Sequence, residues 1–205
     1  MLVQTLDHPL AQHLLANLRD RSTPPAQFRA HCHHLTLLLL LEATKDLPTA
    51  EERIDTPLEP TVGRRLARGL VAVPILRAGL GMLQPIVDTF PDVSVGYIGL
   101  ERDHATAVAR SYYCKLPPLS ATRVLLVDPM LATGGSAVHA LNLIKEAGGE
   151  DVALLNIVAT PEGIRAIEET HPRVRIFTAA IDRELDSRKY IRPGLGDFGD
   201  RLYGT

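Results

Sequence analysis

The sequence lacks tryptophan, has only two cysteines, and is poor in aromatic residues, which make up 4% of its 205 residues. Cys32 and Cys114 form neither a CxxC metal-binding pair nor a disulfide framework, which argues against a zinc ribbon and against a disulfide-stabilised secreted domain. The longest apolar run, residues 35–41, is too short to cross a bilayer as a helix. We expect that run to form a buried or subunit-facing helix, and we expect no membrane segment.

An excess of one charge sign is also missing. Lys and Arg number 22 against 24 Asp and Glu, which gives a formal net charge of -2. Without a basic field there is no general electrostatic attraction for a nucleic acid or an anionic membrane, so we expect neither as a partner. The opening residues 1–8 have no basic segment followed by an apolar core, as a secretory signal would. We therefore expect a cytoplasmic protein.

Apolar residues are plentiful, at 45% of the chain, and suffice for the core of one domain spanning residues 1–205. Because the apolar stretches are continuous and separated by helical patterns, they predict an α/β fold with a mainly parallel central sheet flanked by helices. The predicted strands are Leu70–Leu76, Val93–Ile98, Arg123–Asp128, Val152–Val158 and Val174–Ala180. The clearest helical patterns are Gly134–Ala147 and Pro161–Glu169.

Two regions interrupt this rhythm. Residues 99–117 are rich in charge at first and then in tyrosine and proline, which suggests a projecting arm or lid. Residues 192–201 contain so many turn-forming residues that they predict irregular structure rather than a helix or strand. Both regions are candidate loops of a functional site.

The apolar strand that ends at Asp128 is followed by a glycine-containing turn, residues 132–136, and then by a helix. The free N–H groups and positive dipole at a helix start attract an anion, and glycine lets that anion come close to the backbone. A carboxylate just before such a turn would repel a phosphate but could accept hydrogen bonds from sugar hydroxyls. The pattern indicates a phosphorylated sugar. Alternatively, Asp128 only caps the turn, and the glycines ease a tight strand-to-helix connection.

Two arginines could contact a diphosphate. Arg77 ends a predicted strand beside Gly79, and Arg102 lies in the charged arm. A guanidinium can form paired hydrogen bonds with phosphate oxygens, although either arginine could equally be a solvated surface charge. The turn at residues 132–136 lacks the lysine of a Walker A loop, which argues against a P-loop NTPase. Gln84 stands where a dinucleotide-binding loop needs a small third residue, so that motif is also a poor match.

The histidine-rich segment at residues 31–34 contains residue types that bind metals. On a helix, however, His31 and His34 share a face that His33 does not, and no carboxylate lies at a convincing ligand spacing. The segment is better interpreted as part of an ordinary helix.

Taken together, these motifs resemble the type I phosphoribosyltransferases, in the form found in uracil phosphoribosyltransferases. Residues 124–136 resemble their motif for 5-phosphoribosyl 1-diphosphate (PRPP). The similarity extends to Asp7–Leu10, Ile75–Gly79, Ile98–Leu100, Arg102–Asp103, Tyr112–Tyr113, Lys115–Pro117 and Tyr190–Thr205. It therefore covers almost the whole chain.

The resemblance implies a role for each matched residue. Asp128 would hold the ribose hydroxyls, the following turn would hold the 5-phosphate, and Arg77 and Arg102 would contact the diphosphate. The implied PRPP-binding set is Arg77, Arg102, Asp128, Pro129, Met130, Leu131, Ala132, Thr133, Gly134, Gly135, Ser136 and Asp197, of which Asp128, Arg77 and Arg102 are the candidate catalytic residues. The implied uracil-binding set, acting largely through the backbone of the loop at residues 190–201, is Tyr190, Ile191, Gly196, Asp197 and Phe198.

The implied activity is transfer of ribose phosphate from PRPP to uracil in pyrimidine salvage, giving UMP and diphosphate. The resemblance also implies Mg²⁺ held mainly through PRPP, with Asp197 as its one candidate protein contact, a homodimer or higher homo-oligomer, and GTP as an effector of some relatives. Another uracil-like base as acceptor, and a non-catalytic regulator with this fold, are left open by the residues.

The sequence departs from the family pattern at several positions. Glu101, His104 and Ala105 stand where Tyr, Glu and Glu are usual, which leaves loop closure and base choice open. Phe198 stands where alanine is common, and we interpret it as a variant of the base pocket.

Overall fold

The computed structural model describes residues 3–102 and 109–205, with the backbone alone at residues 102, 109 and 110. In chain order, the elements of this part of the chain are β1 (Val3–Thr5), α1 (Pro9–Arg19), α2 (Pro25–Thr44), β2 (Thr49–Asp55), β3 (Pro60–Leu66), β4 (Gly69–Leu76), α3 (Leu80–Thr89), β5 (Ser94–Val95), β6 (Tyr97–Arg102), β7 (Ala109–Lys115), β8 (Thr122–Val127), β9 (Met130–Leu131), α4 (Gly135–Glu146), β10 (Asp151–Ala159), α5 (Pro161–Thr170), β11 (Arg175–Ile181), β12 (Glu184–Leu185), β13 (Ile191–Arg192) and α6 (Phe198–Tyr203).

A mainly parallel sheet with helices on both sides lies at the centre, as predicted. Its strands follow the order β1-β11-β10-β8-β4-β6-β7, with β5 paired to β4 and β9 to β10. The pairings of β4, β8, β10 and β11 with one another are all parallel, whereas β6 and β7 run antiparallel. The α/β class expected from the continuous apolar strands is therefore confirmed.

Side chains of β8 show why its last four positions, residues 124–127, are all apolar. Leu125 and Val127 lie in a hydrophobic cluster with residues of α1, α2, α3 and α6. Val124 and Leu126 point to the other face, into a cluster with α4 and α5. All four side chains are fully buried, because a parallel sheet covered on both faces leaves no side of the strand in water.

The predicted strands agree with the structure apart from their ends. Thr122–Val127 stops one residue before Asp128, and the predicted strand over residues 93–98 divides into β5 and the start of β6. The antiparallel pair of β6 and β7 forms part of the predicted arm and has a bulge between Gly99 and Leu100. Residues 103–108, including His104 and Ala105, lie outside the described residues.

The prediction of irregular structure up to residue 201 was wrong at its end, because Phe198–Tyr203 is a helix. The Asp197 carboxylate caps this helix by accepting a hydrogen bond from the backbone N–H of Asp200 over 3.0 Å. Phe198 and Leu202 are buried against α2 and α3, so tertiary packing stabilises a helix that six residues alone would not maintain.

The apolar run at residues 35–41 lies within the helix α2. Leu35, Leu39 and Leu40 are fully buried in the core, whereas Leu41 is 61% exposed. Within the described residues no helix is both long enough and apolar enough to cross a membrane.

Candidate active site

The carboxyl ends of three neighbouring strands bring the candidate residues to one edge of the sheet. Pro74 of β4 pairs with Val127 of β8, so Arg77 and Asp128 follow adjacent strands at nearly the same level. Leu76 pairs with Gly99, which puts the start of the arm at the same edge. Ligands of open parallel sheets gather at this edge.

Asp128 is followed by a backbone segment that is fastened to β10. The carbonyl of Pro129 accepts hydrogen bonds from the N–H groups of Ile157 and Val158 over 3.0 and 3.1 Å. The buried amide of Asn156 donates to the carbonyl of Asp128 over 2.5 Å. The central strand therefore holds the backbone at Asp128 in one position.

The turn after this segment has the geometry expected of an anion cradle. Gly134 precedes α4 with φ of +83°, a conformation that glycine adopts without strain. The first N–H groups of a helix have no intrahelical acceptor, so those of α4 face a ligand or solvent. Asp128 and residues 130–137 line a common pocket of about 40 Å³. Acid and turn are thus brought together as predicted.

Thr160 and the start of α5 support the turn through hydrogen bonds and close contacts. The Thr160 hydroxyl donates to the carbonyl of Ala132 over 2.6 Å, and the backbone N–H of Thr160 donates to the carbonyl of Leu131 over 3.0 Å. A methyl group added at Gly163 would lie 2.5 Å from the carbonyl oxygen of Ala132, so α5 touches the turn directly. Sequence reasoning missed Thr160 and Gly163 as supporting residues, although a threonine before Pro161 is a recognisable helix cap.

Burial raises the pKa of Asp128 to about 7, while a backbone hydrogen bond from Met130 opposes the shift. The carboxyl is buried more easily as a neutral acid than as an anion. In the ligand-free protein Asp128 therefore changes its charge near neutral pH.

Arg77 is exposed at the end of β4, and the peptide bond before it is cis. Gly79, two residues later, is packed so closely that an added methyl group would lie 2.6 Å from the carbonyl oxygen of Val127. The loop of Arg77 is therefore in direct contact with the strand that leads to Asp128. The backbone of Arg102 lies at the end of β6, and its side chain falls outside the described part of the structure.

The C-terminal loop forms a second, larger concavity. Tyr190, Ile191 and Gly196 line it together with residues 186–188, 192 and 193, and its volume is about 660 Å³. Ile191 is buried, whereas Tyr190 is 48% exposed and available to flank a flat ligand. Gly196 has φ of +83°, so the loop bends sharply between the candidate base-binding residues.

Phe198 does not line this concavity with its side chain. The ring is 2% exposed and meets the ring of Phe28 edge-on at 5.2 Å between centroids. The interpretation of Phe198 as a pocket variant was therefore wrong for the side chain, which fills the core between α2 and α6. The predicted contact with a base would fall to its backbone.

Asp197 is exposed, and one of its carboxylate oxygens caps α6. Within the described residues no group of three His, Cys, Asp or Glu side chains could hold a metal by itself. Mg²⁺ is commonly bound through one or two carboxylates plus substrate phosphates, so a single exposed carboxylate such as Asp197 fits an ion that arrives with its substrate.

The fold, with the turn at residues 128–136 at the carboxyl edge of its sheet, is that of the type I phosphoribosyltransferases. The solved structure of an adenine phosphoribosyltransferase from Trypanosoma brucei has the same fold, with a TM-score of 0.59 at 12% identity over 87% of this chain and 83% of that chain. A solved protein from Aquifex aeolicus is much more similar, with a TM-score of 0.94 at 37% identity over 99% of this chain and 98% of that chain.

The sequence comparisons are more specific. The sequence model of the family described as uracil phosphoribosyltransferase matches residues 5–205. Relatives described by that name include one from Symbiobacterium thermophilum, 50% identical over 99% of this chain and 98% of its own length, and one from Roseiflexus castenholzii, 52% identical over 97% and 96%. The chain belongs to the uracil phosphoribosyltransferase family.

Proposed function

We propose that this protein transfers the 5-phosphoribosyl group of PRPP to a ring nitrogen of uracil, releasing diphosphate and forming UMP for pyrimidine salvage. The observation that carries the proposal is the turn at residues 128–136, which lies at the carboxyl edge of the sheet in a chain matched by the uracil phosphoribosyltransferase family over residues 5–205. The bond from the anomeric carbon to the diphosphate oxygen breaks, a bond to the ring nitrogen forms, and that nitrogen loses its proton.

The residues at the sheet edge would bind the donor in three parts. The helix start at residues 134–136 offers N–H groups to the 5-phosphate, and the Asp128 carboxylate accepts hydrogen bonds from the ribose hydroxyls. Arg77, with Arg102 of the arm, would stabilise the negative charge that accumulates on the departing diphosphate. Because the anomeric carbon becomes cationic as its bond breaks, no side-chain nucleophile is required.

Mg²⁺, when bound to the diphosphate, would neutralise part of its charge and assist its departure. We propose that Asp197 is the nearest protein contact of this ion. Chelation should abolish UMP formation, and Asp197→Asn should raise the Mg²⁺ concentration needed for half-maximal rate while activity returns at high Mg²⁺. An unchanged Mg²⁺ requirement in that variant would remove Asp197 from this role.

The C-terminal loop would read the base. Uracil alternates carbonyl acceptors and N–H donors along its edge, and backbone groups at Ile191, Gly196 and Phe198 can offer the complementary pattern. Tyr190 would cover one side of the ring. Recognition by backbone atoms requires the loop to be held in one conformation.

The test is an assay with PRPP, Mg²⁺ and a panel of bases, following product by chromatography. We expect UMP from uracil and much slower turnover of purines. Turnover of another pyrimidine-like base in preference to uracil would change the assigned acceptor, and no product from any base at high protein concentration would leave a binding or regulatory role. Adding GTP to the same assay tests it as an effector.

We also propose that the protein is at least a homodimer and works in the cytoplasm. Large apolar side chains of the hairpin formed by β2 and β3 point into solvent, with Leu58 95% and Val62 63% exposed. Such a surface is suited to burial against a second copy. The exposed free thiol of Cys114 is compatible with a reducing compartment.

A further inference from the structure

A salt bridge at the end of α1 holds both peptide groups of Gly194, in the middle of the C-terminal loop. The Arg19 guanidinium contacts the two carboxylate oxygens of Asp182 over 2.9 and 2.5 Å and also donates to the carbonyl of Gly194 over 2.7 Å. The same Asp182 carboxylate accepts a hydrogen bond from the N–H of Gly194 over 2.9 Å. Arg19 and Asp182 therefore close a ring of charge-assisted hydrogen bonds around one loop residue.

The two charged residues are themselves held by rigid elements. Asp182 follows β11 directly, is 5% exposed, and donates its N–H to the carbonyl of Ala159 over 2.8 Å. Arg19 is the last residue of α1. Gly194 has φ of +62°, and a methyl group there would lie 2.2 Å from the carbonyl oxygen of Ile191. The loop is thus tied to the sheet and to a helix at the point where it turns.

A second arginine fastens the far end of the loop to the same place on α1. The Arg201 guanidinium donates to the carbonyls of Leu18, Asp20 and Leu195, with 2.5 Å to Asp20 and 2.7 Å to Leu195. It also lies over the ring of Phe28, 4.5 Å from the centroid. The last carbonyls of a helix have no intrahelical donor and carry partial negative charge, so the C-terminal end of α1 attracts a cation.

We propose that Arg19, acting with Asp182, and Arg201 are positioning residues for base recognition: they fix the backbone of residues 191–198 from the C-terminal end of α1. The inference rests on the proposed function, in which backbone atoms of this loop read the base. A loop with so many turn-forming residues has a large conformational entropy when free. An error of about 1 Å in the position of a recognising group can cost roughly a hundredfold in rate.

The inference distinguishes a positioning role from general stabilisation. Removing a pair that only stabilises the fold would lower the thermal midpoint without a selective rise in the KM for uracil. The Arg68–Asp151 pair offers a matched control, because its contact distance is 2.7 Å and its side chains are 32% and 21% exposed, against 25% and 4% for Arg19 and Asp182. It lies at the amino edge of the sheet, away from both substrates.

The experiment compares Arg19→Gln, Arg19→Lys and Arg201→Gln with Arg68→Gln, measuring KM for uracil and for PRPP separately, together with the thermal midpoint. With Mg²⁺ saturating, so that the proposed contact of Asp197 with the ion does not limit donor binding, we expect Arg19→Gln and Arg201→Gln to raise the KM for uracil by roughly ten- to a hundredfold, with little change in the KM for PRPP. Arg19→Lys keeps the charge but loses the planar fork, so its KM for uracil should lie in between. Arg68→Gln should lower the thermal midpoint and leave both KM values unchanged.

Equal changes in the two KM values for Arg19→Gln, or no change in either, would overturn the inference. If Arg19→Gln fails to fold, Arg19→Lys decides the question by the same split. Calorimetric titration with UMP tests the positioning role independently of the proposed activity. A wild-type protein that makes no UMP would refute the proposed function, whereas weaker UMP binding in Arg19→Lys than in Arg68→Gln would still support the positioning role.

Discussion

At the scale of single residues, the stability of buried Asp128 conflicts with the binding role that we propose for it. A carboxyl group in this position is stabilised as a neutral acid, because burial raises its pKa to about 7. A sugar whose hydroxyls donate hydrogen bonds needs the anion. The neighbouring backbone is tied to β10 through Pro129 and Asn156, which fixes the position of the residue.

The first prediction concerns stability. In the unfolded chain Asp128 titrates near pH 3.8, whereas in the folded protein it keeps its proton up to about pH 7, so folding favours the protonated form. The stability from this group is complete below pH 3.8 and is lost as the pH rises through 7. At pH 8, Asp128→Asn should stabilise the ligand-free protein by about 1–3 kcal/mol in urea denaturation. This gain over the wild type should disappear toward pH 4. A stability difference between variant and wild type that is the same at pH 4 and pH 8 would contradict the raised pKa of Asp128.

The second prediction concerns the pH dependence of donor binding. Only ionised Asp128 is a full acceptor for the ribose hydroxyls, so the KM for PRPP should fall as the pH rises and should level off above about pH 7. Asp128→Asn should raise the KM for PRPP by about ten- to a hundredfold and remove this component of the pH profile. If the variant keeps the wild-type profile, another group controls it.

Gly134 supports a third prediction. A methyl group there would lie 2.7 Å from the Cβ of Ala166, and the backbone has positive φ. Gly134→Ala should therefore lose about 1–3 kcal/mol of stability and most of the affinity for PRPP. Gly148→Ala is the control, since Gly148 also has positive φ, of +86°, but no atom within 4 Å of the added methyl group. That control should lose stability but keep its affinity for PRPP. A similar KM for PRPP in the two variants would show that the conformation of Gly134 is not needed for donor binding.

At the scale of elements, the two edges of the sheet are stabilised in different ways. The carboxyl edge carries the open site. The amino edge carries a network of charges in which Arg123, with its side chain 6% exposed, contacts Asp46 over 2.5 Å and Asp151 over 3.0 Å. Arg175 joins the same two carboxylates, so the network connects β8, β10 and β11 to the segment after α2.

The fourth prediction tests this network. Arg123→Gln removes the buried guanidinium that joins Asp46 to the partly buried Asp151 carboxylate, and it should cost about 2–4 kcal/mol in urea denaturation. The exposed pair of Arg64 and Glu51, with side chains 69% and 67% exposed, is the comparison: Arg64→Gln should cost less than about 1 kcal/mol. Both KM values should stay unchanged for Arg123→Gln, and a large rise in either would mean that the two edges are coupled.

At the scale of the whole molecule, the hairpin of β2 and β3 differs from the rest of the structure. The two strands pair only with each other in a separate two-stranded sheet, and nearly all of their side chains are exposed. An isolated hairpin is only marginally stable in water. Burial against a second copy would supply the missing contacts.

The fifth prediction follows from that surface. Val62→Glu replaces an exposed apolar side chain of the hairpin with a charge, and it should weaken the proposed dimer and raise the proportion of monomer in light scattering at dilute concentration. Thr61→Glu, at the neighbouring position on the strand, is the control, because adjacent side chains point to opposite faces. A similar molar mass for both variants and the wild type would mean that the hairpin is not the contact.

The features that could be predicted from sequence are those encoded by neighbouring residues. Continuous apolar strands separated by helical patterns specify a parallel sheet covered on both faces, and this was confirmed. The turn at residues 128–136 could also be predicted, because its acid, glycines and helix start lie within nine consecutive positions. Such local patterns work through backbone preferences and periodicity, which the chain carries before it folds.

Other features depended on tertiary structure. The helix at Phe198–Tyr203 forms because Phe198 and Leu202 are buried, which outweighs the turn-forming composition before them. Arg19 meets Asp182 across 163 positions of sequence, and Thr160 meets Ala132 across 28. By itself, the sequence determined the sheet and the turn at residues 128–136. The fold decided how that turn is supported and how the C-terminal loop is anchored, because such contacts depend on where distant elements lie once the core has packed.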